Sequence, residues 1–210
     1  MQKFSHIDDI HRRISAAMLA NLDDSVGEVL KKLDTEGLRE NTLVMFMSDN
    51  GGPTRELTSS NAPLRGEKGQ VYEGGLRVPF LMRWPGITKR GTTFKHPVTA
   101  LDIVPTVAAA TGARLPKEIY DGVDLTPHLA GDSTKPPHEQ LFWRIGNRHA
   151  LRYGHWKILS QRGRDWELYN LEADIGETKN LSAENSAKLA ELIGAWETEN
   201  TEMIAPIWKL

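Results

Sequence analysis

Thr42-Leu43-Val44-Met45-Phe46-Met47-Ser48-Asp49-Asn50-Gly51-Gly52 is the stretch on which the fold reading turns. Its first six residues form a continuous strand-length run, the pattern of a strand covered on both faces in a parallel sheet. In open α/β sheets, ligands bind just beyond the carboxyl ends of such strands. Asp49 and Asn50 stand at that place and offer a carboxylate and an amide oxygen, hard ligands suited to Ca²⁺ or Mg²⁺. The two glycines permit a sharp turn and close approach of a ligand. The same residues also read as a hairpin turn, because Asn-Gly is a strong turn signal. Against that, Pro53-Thr54-Arg55-Glu56 is polar and irregular rather than an alternating second strand. Spacing alone leaves the two readings even.

Upstream, Ile7, Ile10, Ile14, Met18, Leu22, Val26, Val29 and Leu33 recur every three or four residues and so share one helical face. Ser5 with Asp8 reads as its capping pair and Gly37 as its stop. Downstream, residues 78–84 form a second buried-strand run closed by Pro85-Gly86. A short helix is expected over 102–111, with Asp102 as N-cap, Pro105 in its first turn and Gly112 after its end. Helix and buried strands together define an α/β layer.

Ten of the eleven prolines lie between Pro53 and Pro137, whereas five of the six tryptophans lie from Trp143 onward. The composition shifts at Ser133-Thr134-Lys135-Pro136-Pro137, which reads as a boundary between a region 1–135 and a region 138–210. In the second region, runs at 141–145, 150–153, 156–159 and 166–169 are split by Gly146-Asn147, Gly154 and Gly163, the pattern of an antiparallel meander. A helix is expected over 183–199, with Leu189, Leu192, Ile193 and Trp196 as its buried stripe. This second region is α+β and too small to stand alone readily.

The 210 residues hold 26 Lys+Arg against 28 Asp+Glu, a net charge of -2 that supplies no field for phosphate-driven nucleic-acid binding. The longest apolar run, residues 43–47, is far short of the ~20 residues of a membrane span. Residues 1–9 turn acidic at once and carry no apolar stretch, so this start does not read as a signal peptide. With no cysteine, disulfides and thiolate metal sites are excluded.

A second glycine-rich stretch, Asn61-Ala62-Pro63-Leu64-Arg65-Gly66-Glu67-Lys68-Gly69, is followed by Glu73-Gly74-Gly75-Leu76-Arg77-Val78-Pro79. Lys68, Arg65 and Arg77 could approach an anion there, although glycine-flanked lysines are more often solvated loop residues. His6, His11, His96, His128, His138, His149 and His155 make no spaced ligand pair, which favours structural or solvated roles.

In order, these motifs resemble one family. They begin with Asp23-Asp24-Ser25-Val26-Gly27, Asn41-Thr42-Leu43-Val44 and Ser48-Asp49-Asn50-Gly51, and continue with the 62–69 and 72–79 stretches. Arg83-Trp84-Pro85-Gly86 and Asp102-Ile103-Val104-Pro105-Thr106 follow, then Gly154-His155-Trp156-Lys157 and Glu167-Leu168-Tyr169-Asn170-Leu171. The chain resembles the C-terminal half of a type I, formylglycine-dependent sulfatase of the alkaline-phosphatase superfamily. The resemblance covers essentially the whole chain. It implies part of an alkaline-phosphatase-like mixed sheet with flanking helices, then a small C-terminal α+β subdomain.

The resemblance also implies roles. Asp49 and Asn50 match the family's ligands to Ca²⁺ (Mg²⁺ in some members), and Lys68 matches the lysine that contacts the sulfate oxygens. Arg77 and Glu73 match supporting positions near the substrate. Glu67 stands where many relatives have glycine. The family's formylglycine is made within a Cys/Ser-x-Pro/Ala-x-Arg motif that these residues do not contain; Ser60-Asn61-Ala62-Pro63-Leu64 has leucine in place of the arginine. The paired aspartates, lysine and histidines of the family's first half are likewise not matched.

The expected activity is therefore hydrolysis of a sulfated small molecule or saccharide, by attack of a hydrated aldehyde on sulfur. The nucleophile and remaining ligands are expected from an N-terminal half, with which this chain is expected to associate. A non-catalytic remnant or interaction module is the alternative. A two-metal phosphoesterase is a weaker third reading, because Asp49-Asn50 is followed by no further Asp/His set. Specificity is expected partly in loops 89–96, 114–121 and 146–149, with Arg148, His149, Arg152 and His155 able to face a sulfated sugar. Relatives are commonly exported or lysosomal.

Overall fold

A computed structural model describes residues 2–56, 59–116 and 120–205. Trp208, Pro206 and the centre of the 114–121 loop lie outside them. The chain forms two compact units, the first from residues 1–32, 46–80 and 140–210, the second from 33–45 and 81–139. Both are built from segments distant in sequence.

The first helix, α1 (Ile10–Thr35), follows a short 3-10 turn. Its cap is Asp9, whose carboxylate accepts the Arg12 N–H at 2.7 Å, and not the expected Ser5–Asp8 pair. Asp9 lies three residues before Arg12, the spacing that the orphan amides of a first turn require. The apolar stripe exists but is largely uncovered: Met18 is 67% exposed and Val29 59%, and no residue of the helix is buried.

Strand β1 (Val44–Met47) begins two residues later than the sequence suggests. After a single helical turn, α2 (Glu73–Leu76), strand β2 (Phe80–Arg83) pairs with β1 in a two-stranded sheet. The burial expected on both faces is not met, since Phe46 and Leu81 are exposed.

Within the second unit, α3 (Ile103–Thr111) packs against α4 (Thr126–Ala130). Gly112 closes α3 in the left-handed conformation, φ 70°. Asp102 precedes α3 but does not cap it. Its fully buried carboxylate instead accepts the Thr99 N–H at 2.8 Å and the Val123 N–H at 2.9 Å, and meets His138 Nε2 at 2.8 Å. A buried carboxylate needs several donors, and these come from three separate segments.

The meander is β3 (Gln140–Ile145), β4 (Arg148–Tyr153), β5 (Trp156–Ser160) and β6 (Glu167–Asn170), antiparallel in sequential order. Helix α5 (Ser186–Glu202) packs across β4 and β5. It buries Leu192 and Trp196 with Leu151, Ile158 and Leu168 in one core cluster. Alternation along the strands sends Ala150, Leu159 and Tyr169 to the other face, where they pack with Val71 and Tyr72. That second core seats the glycine-rich loops on the meander. The arrangement is α/β with an α+β portion formed by meander and helix, as expected.

Candidate active site

Three loops of the first unit are stacked backbone to backbone. The Gly51 N–H donates to Gly75 O at 3.2 Å, and a Cβ on Gly51 would lie 1.7 Å from Gly74 O. Gly74 N–H donates to Arg65 O at 2.6 Å, and a Cβ on Gly75 would lie 2.1 Å from Gln70 O. No side chain larger than hydrogen fits at these crossings. Asn61 fastens the same assembly, accepting from Gly52 N–H at 3.0 Å and donating to Gly52 O and Gly66 O. The loop bearing Asp49 and Asn50 is thus locked to α2, and so is the loop bearing Lys68.

Asp49 is exposed, and Asn50 is partly buried with its Nδ2 donating to Gly51 O at 3.0 Å. That bond orients the amide and leaves Oδ1 as an acceptor. No hairpin forms after Asn50-Gly51; the chain passes instead into a 3-10 turn at Thr54–Glu56. Two oxygen donors fit a hard cation such as Ca²⁺, which takes about six to eight. Among the described residues no group of three His, Cys, Asp or Glu side chains is gathered for a metal.

Lys68 and Gly69 are the central residues of a tight turn closed by Gln70 N–H to Glu67 O at 2.9 Å. Gly69 takes φ +81°, as the third position of such a turn demands. Lys68 is exposed at its apex. Glu67 beside it is buried, accepts from Thr54 Oγ1 and Arg55 N–H at 2.9 and 2.8 Å, and pairs with Arg55 Nε. The Arg55 amide, with Thr54, holds this carboxyl below its ordinary pKa. Its charge is therefore neutralised locally and it ties residues 54–55 to the Lys68 turn.

Below α2 lies a charge cluster that sequence reading missed. Lys157 Nζ, fully buried, donates to Glu73 Oε1 at 2.8 Å and pairs with Glu177 Oε1 at 2.9 Å. Glu177 Oε2 accepts the Glu73 N–H at 2.7 Å. Burial pushes the Glu177 carboxyl above its ordinary pKa, with Lys157 opposing. Arg77 Nη1 approaches Glu73 Oε2 at 3.8 Å, with its side chain half-exposed. A buried lysine in an otherwise apolar strand, β5, was the one available signal.

A second network flanks the first. Arg65 stacks over the Tyr72 ring at 4.1 Å and donates to Tyr169 Oη and Glu177 O. Both tyrosine hydroxyls bond Glu167, at 2.9 and 2.6 Å. Burial and the Glu167 bond push Tyr72 up to about 12. Of the histidines considered for substrate contact, His149 packs 4.4 Å from Trp196, and burial lowers its pKa. His128 meets Lys135 O, and His138 meets Asp102.

Comparison with known proteins gives the class to which this fold belongs. The Sulfatase family model matches residues 9–113, and the model of the C-terminal region of N-sulphoglucosamine sulphohydrolase matches residues 66–199. The chain belongs to the sulfatase family.

Among individual relatives, it is 34% identical to a sulfatase of Formosa agariphila over 88% of this chain and 39% of that protein. It is 42% identical to human arylsulfatase A over 66% of this chain and 29% of that protein. The crystal structure of Ps i-CgsB in complex with k-i-k-neocarrahexaose superposes with a TM-score of 0.90 at 33% identity, over 99% of this chain and 47% of that one. The structure of a 2-O GAG sulfatase superposes with a TM-score of 0.69 at 27% identity, over 86% of this chain and 41% of that one. These 210 residues span less than half the length of the relatives they match. The superposed sulfatases carry the alkaline-phosphatase-like fold expected from the motifs.

Proposed function

We propose that this chain supplies part of the active site of an enzyme that hydrolyses sulfate esters of a saccharide. Asp49 and Asn50 hold a Ca²⁺ or Mg²⁺, Lys68 contacts the sulfate to be cleaved, and Arg77 assists in binding the substrate. The bound metal would stabilise charge on the sulfate oxygens. The observation that carries the reading is the locking of the Asp49-Asn50 loop onto α2 through Gly51, in a chain matched along most of its length by sulfatase models. Preorganised charge is what such chemistry needs. Lys68 presents an ammonium at a turn apex whose backbone is fixed by Gly69 and by the Glu67–Arg55 pair. Asn50 presents its oxygen because its amino group is already engaged. The saccharide class is supported by the carrageenan and glycosaminoglycan names among the relatives.

The formylglycine nucleophile would come from sequence outside these residues, so the 210-residue chain alone is expected to release no sulfate from an aryl sulfate. Replacing the aligned portion of the Formosa agariphila sulfatase with residues 1–210 tests the positive half. The chimera is expected to hydrolyse its sulfated substrate in a metal-dependent way, and Asp49→Asn to raise the metal concentration it requires at least tenfold. A folded, active chimera indifferent to Asp49→Asn would overturn the assignment. Turnover by the isolated chain would overturn the dependence on outside sequence.

A further inference from the structure

Glu73 lies against two cations, Lys157 and Arg77, and a third, Arg152, stands beside Lys157 on the neighbouring strand. Lys157 is neutralised internally between Glu73 and Glu177. Arg77 reaches Glu73 Oε2 only to 3.8 Å, beyond hydrogen-bonding range, and 55% of its side chain is exposed. Arg152 stands directly opposite Lys157 in the β4–β5 ladder. Directly opposed residues of antiparallel strands project to the same face, with Cβ atoms about 4.5–5.5 Å apart. The Arg152 Nε donates to Gly154 O at 3.0 Å, which leaves both terminal amino groups of the guanidinium available. Among the described residues no carboxylate pairs with it.

The charges do not balance. Lys157, Arg77 and Arg152 bring three positive charges against two carboxylates, Glu73 and Glu177, and burial opposes ionisation of the latter. Burial lowers the Arg152 pKa, with Glu73 opposing that shift and Arg77 reinforcing it. Two like charges held in proximity over a partly buried site are relieved by an anion. The planar fork of a guanidinium matches a sulfate or carboxylate by paired hydrogen bonds.

We propose that Arg77 and Arg152 form a second anion subsite that grips a sulfate or carboxylate group of the saccharide other than the sulfate being cleaved. The ligand class rests on the saccharide-sulfatase reading above; the anion site itself does not. The subsite would select substrates carrying two anionic groups, and of the residues assigned above to metal and substrate it includes only Arg77.

The test is direct binding by the 210-residue chain. Its arginine Nε–H resonances are followed while sodium sulfate, or in a separate arm sodium glucuronate, replaces chloride at constant ionic strength. Saturable shifts of the Arg77 and Arg152 signals are expected, with a Kd on the order of 1–10 mM. Saturation by sulfate, glucuronate or both supports the subsite and says which group it takes. Arg152→Met should weaken the Arg77 response about tenfold, and Arg152→Lys, which keeps charge but not the fork, should weaken it less. Lys68→Met should leave the affinity within about twofold. No saturable shift with either anion, an Arg77 response unchanged in both Arg152 variants, or a response abolished by Lys68→Met would each overturn the proposal. The last result would place the anion at Lys68 and leave the catalytic reading intact. An inactive chimera with saturating arginine shifts would do the reverse.

Discussion

Lys157→Met isolates the buried charge cluster with little change of volume. The lysine has no exposed side-chain surface and lies 2.8 and 2.9 Å from two carboxylates that are themselves buried. Removing one member of a buried ion pair costs about 3–5 kcal/mol, because the remaining charge is left uncompensated. For a chain of this size that corresponds to a fall in Tm of roughly 6–20 °C. Tryptophan fluorescence in a urea series reads the transition, since Trp156 neighbours Lys157 and Trp196 lies in the core beneath β4 and β5.

The pH dependence gives a second readout. Burial raises the folded-state pKa of Glu177 above its ordinary value of 4.5. In this region the native protein binds more protons than the unfolded chain, so the Glu177 contribution is full below about 4.5 and is lost as pH rises through the folded value. Lys157 restrains that rise. In Lys157→Met the folded value moves further up, and the loss should extend to higher pH. The deficit against wild type should therefore be small near pH 4 and largest near neutrality. Adding Glu177→Gln should recover part of it. A deficit under about 1 kcal/mol at pH 7, or one independent of pH, would refute the reasoning.

Three further outcomes are expected. Gly51→Ala places a Cβ 1.7 Å from Gly74 O; backbone must move, and denaturation should show a loss of at least about 2 kcal/mol, well above the ordinary surface range. Glu67→Gln removes a carboxylate whose pKa is lowered chiefly by the Arg55 amide. Wild type gains from it above about pH 4.5 and loses the gain as pH falls through the folded value, so the variant's acid-side stability curve should be flatter. Leu192→Ala, at 1% exposure in the core of α5 and the meander, should cost about 2–5 kcal/mol in a urea titration.

The meander and α5 were legible because glycines punctuate the strands and Leu192 and Trp196 keep helical spacing. β1 with its Asp-Asn-Gly-Gly end was legible for the same local reason. The cluster beneath it was not: Glu73 meets Lys157 across 84 residues and Glu177 across 104, and no local pattern links them. Asp102 shows the same limit. Its position before a helix suggested a cap, while its partners Val123 and His138 lie 21 and 36 residues away. Apolar periodicity marks the faces of β1 and α1 as seeking cover but not which residues provide it, and Met18, Val29 and Phe46 on them are exposed. Asp49, Asn50 and Lys68 are candidates assigned through ordered motifs; the locking of their loops by Gly51, Gly74 and Gly75 is visible only in three dimensions.

The account rests most heavily on Lys68 acting on the sulfate being cleaved. Measuring kcat/KM and metal affinity of the chimera with and without Lys68→Met tests this directly. A fall in kcat/KM of about 10²–10³, carried mainly by kcat and with metal affinity unchanged, is the expected result. A folded, metal-loaded Lys68→Met chimera with kcat/KM within about threefold of its parent would contradict the account.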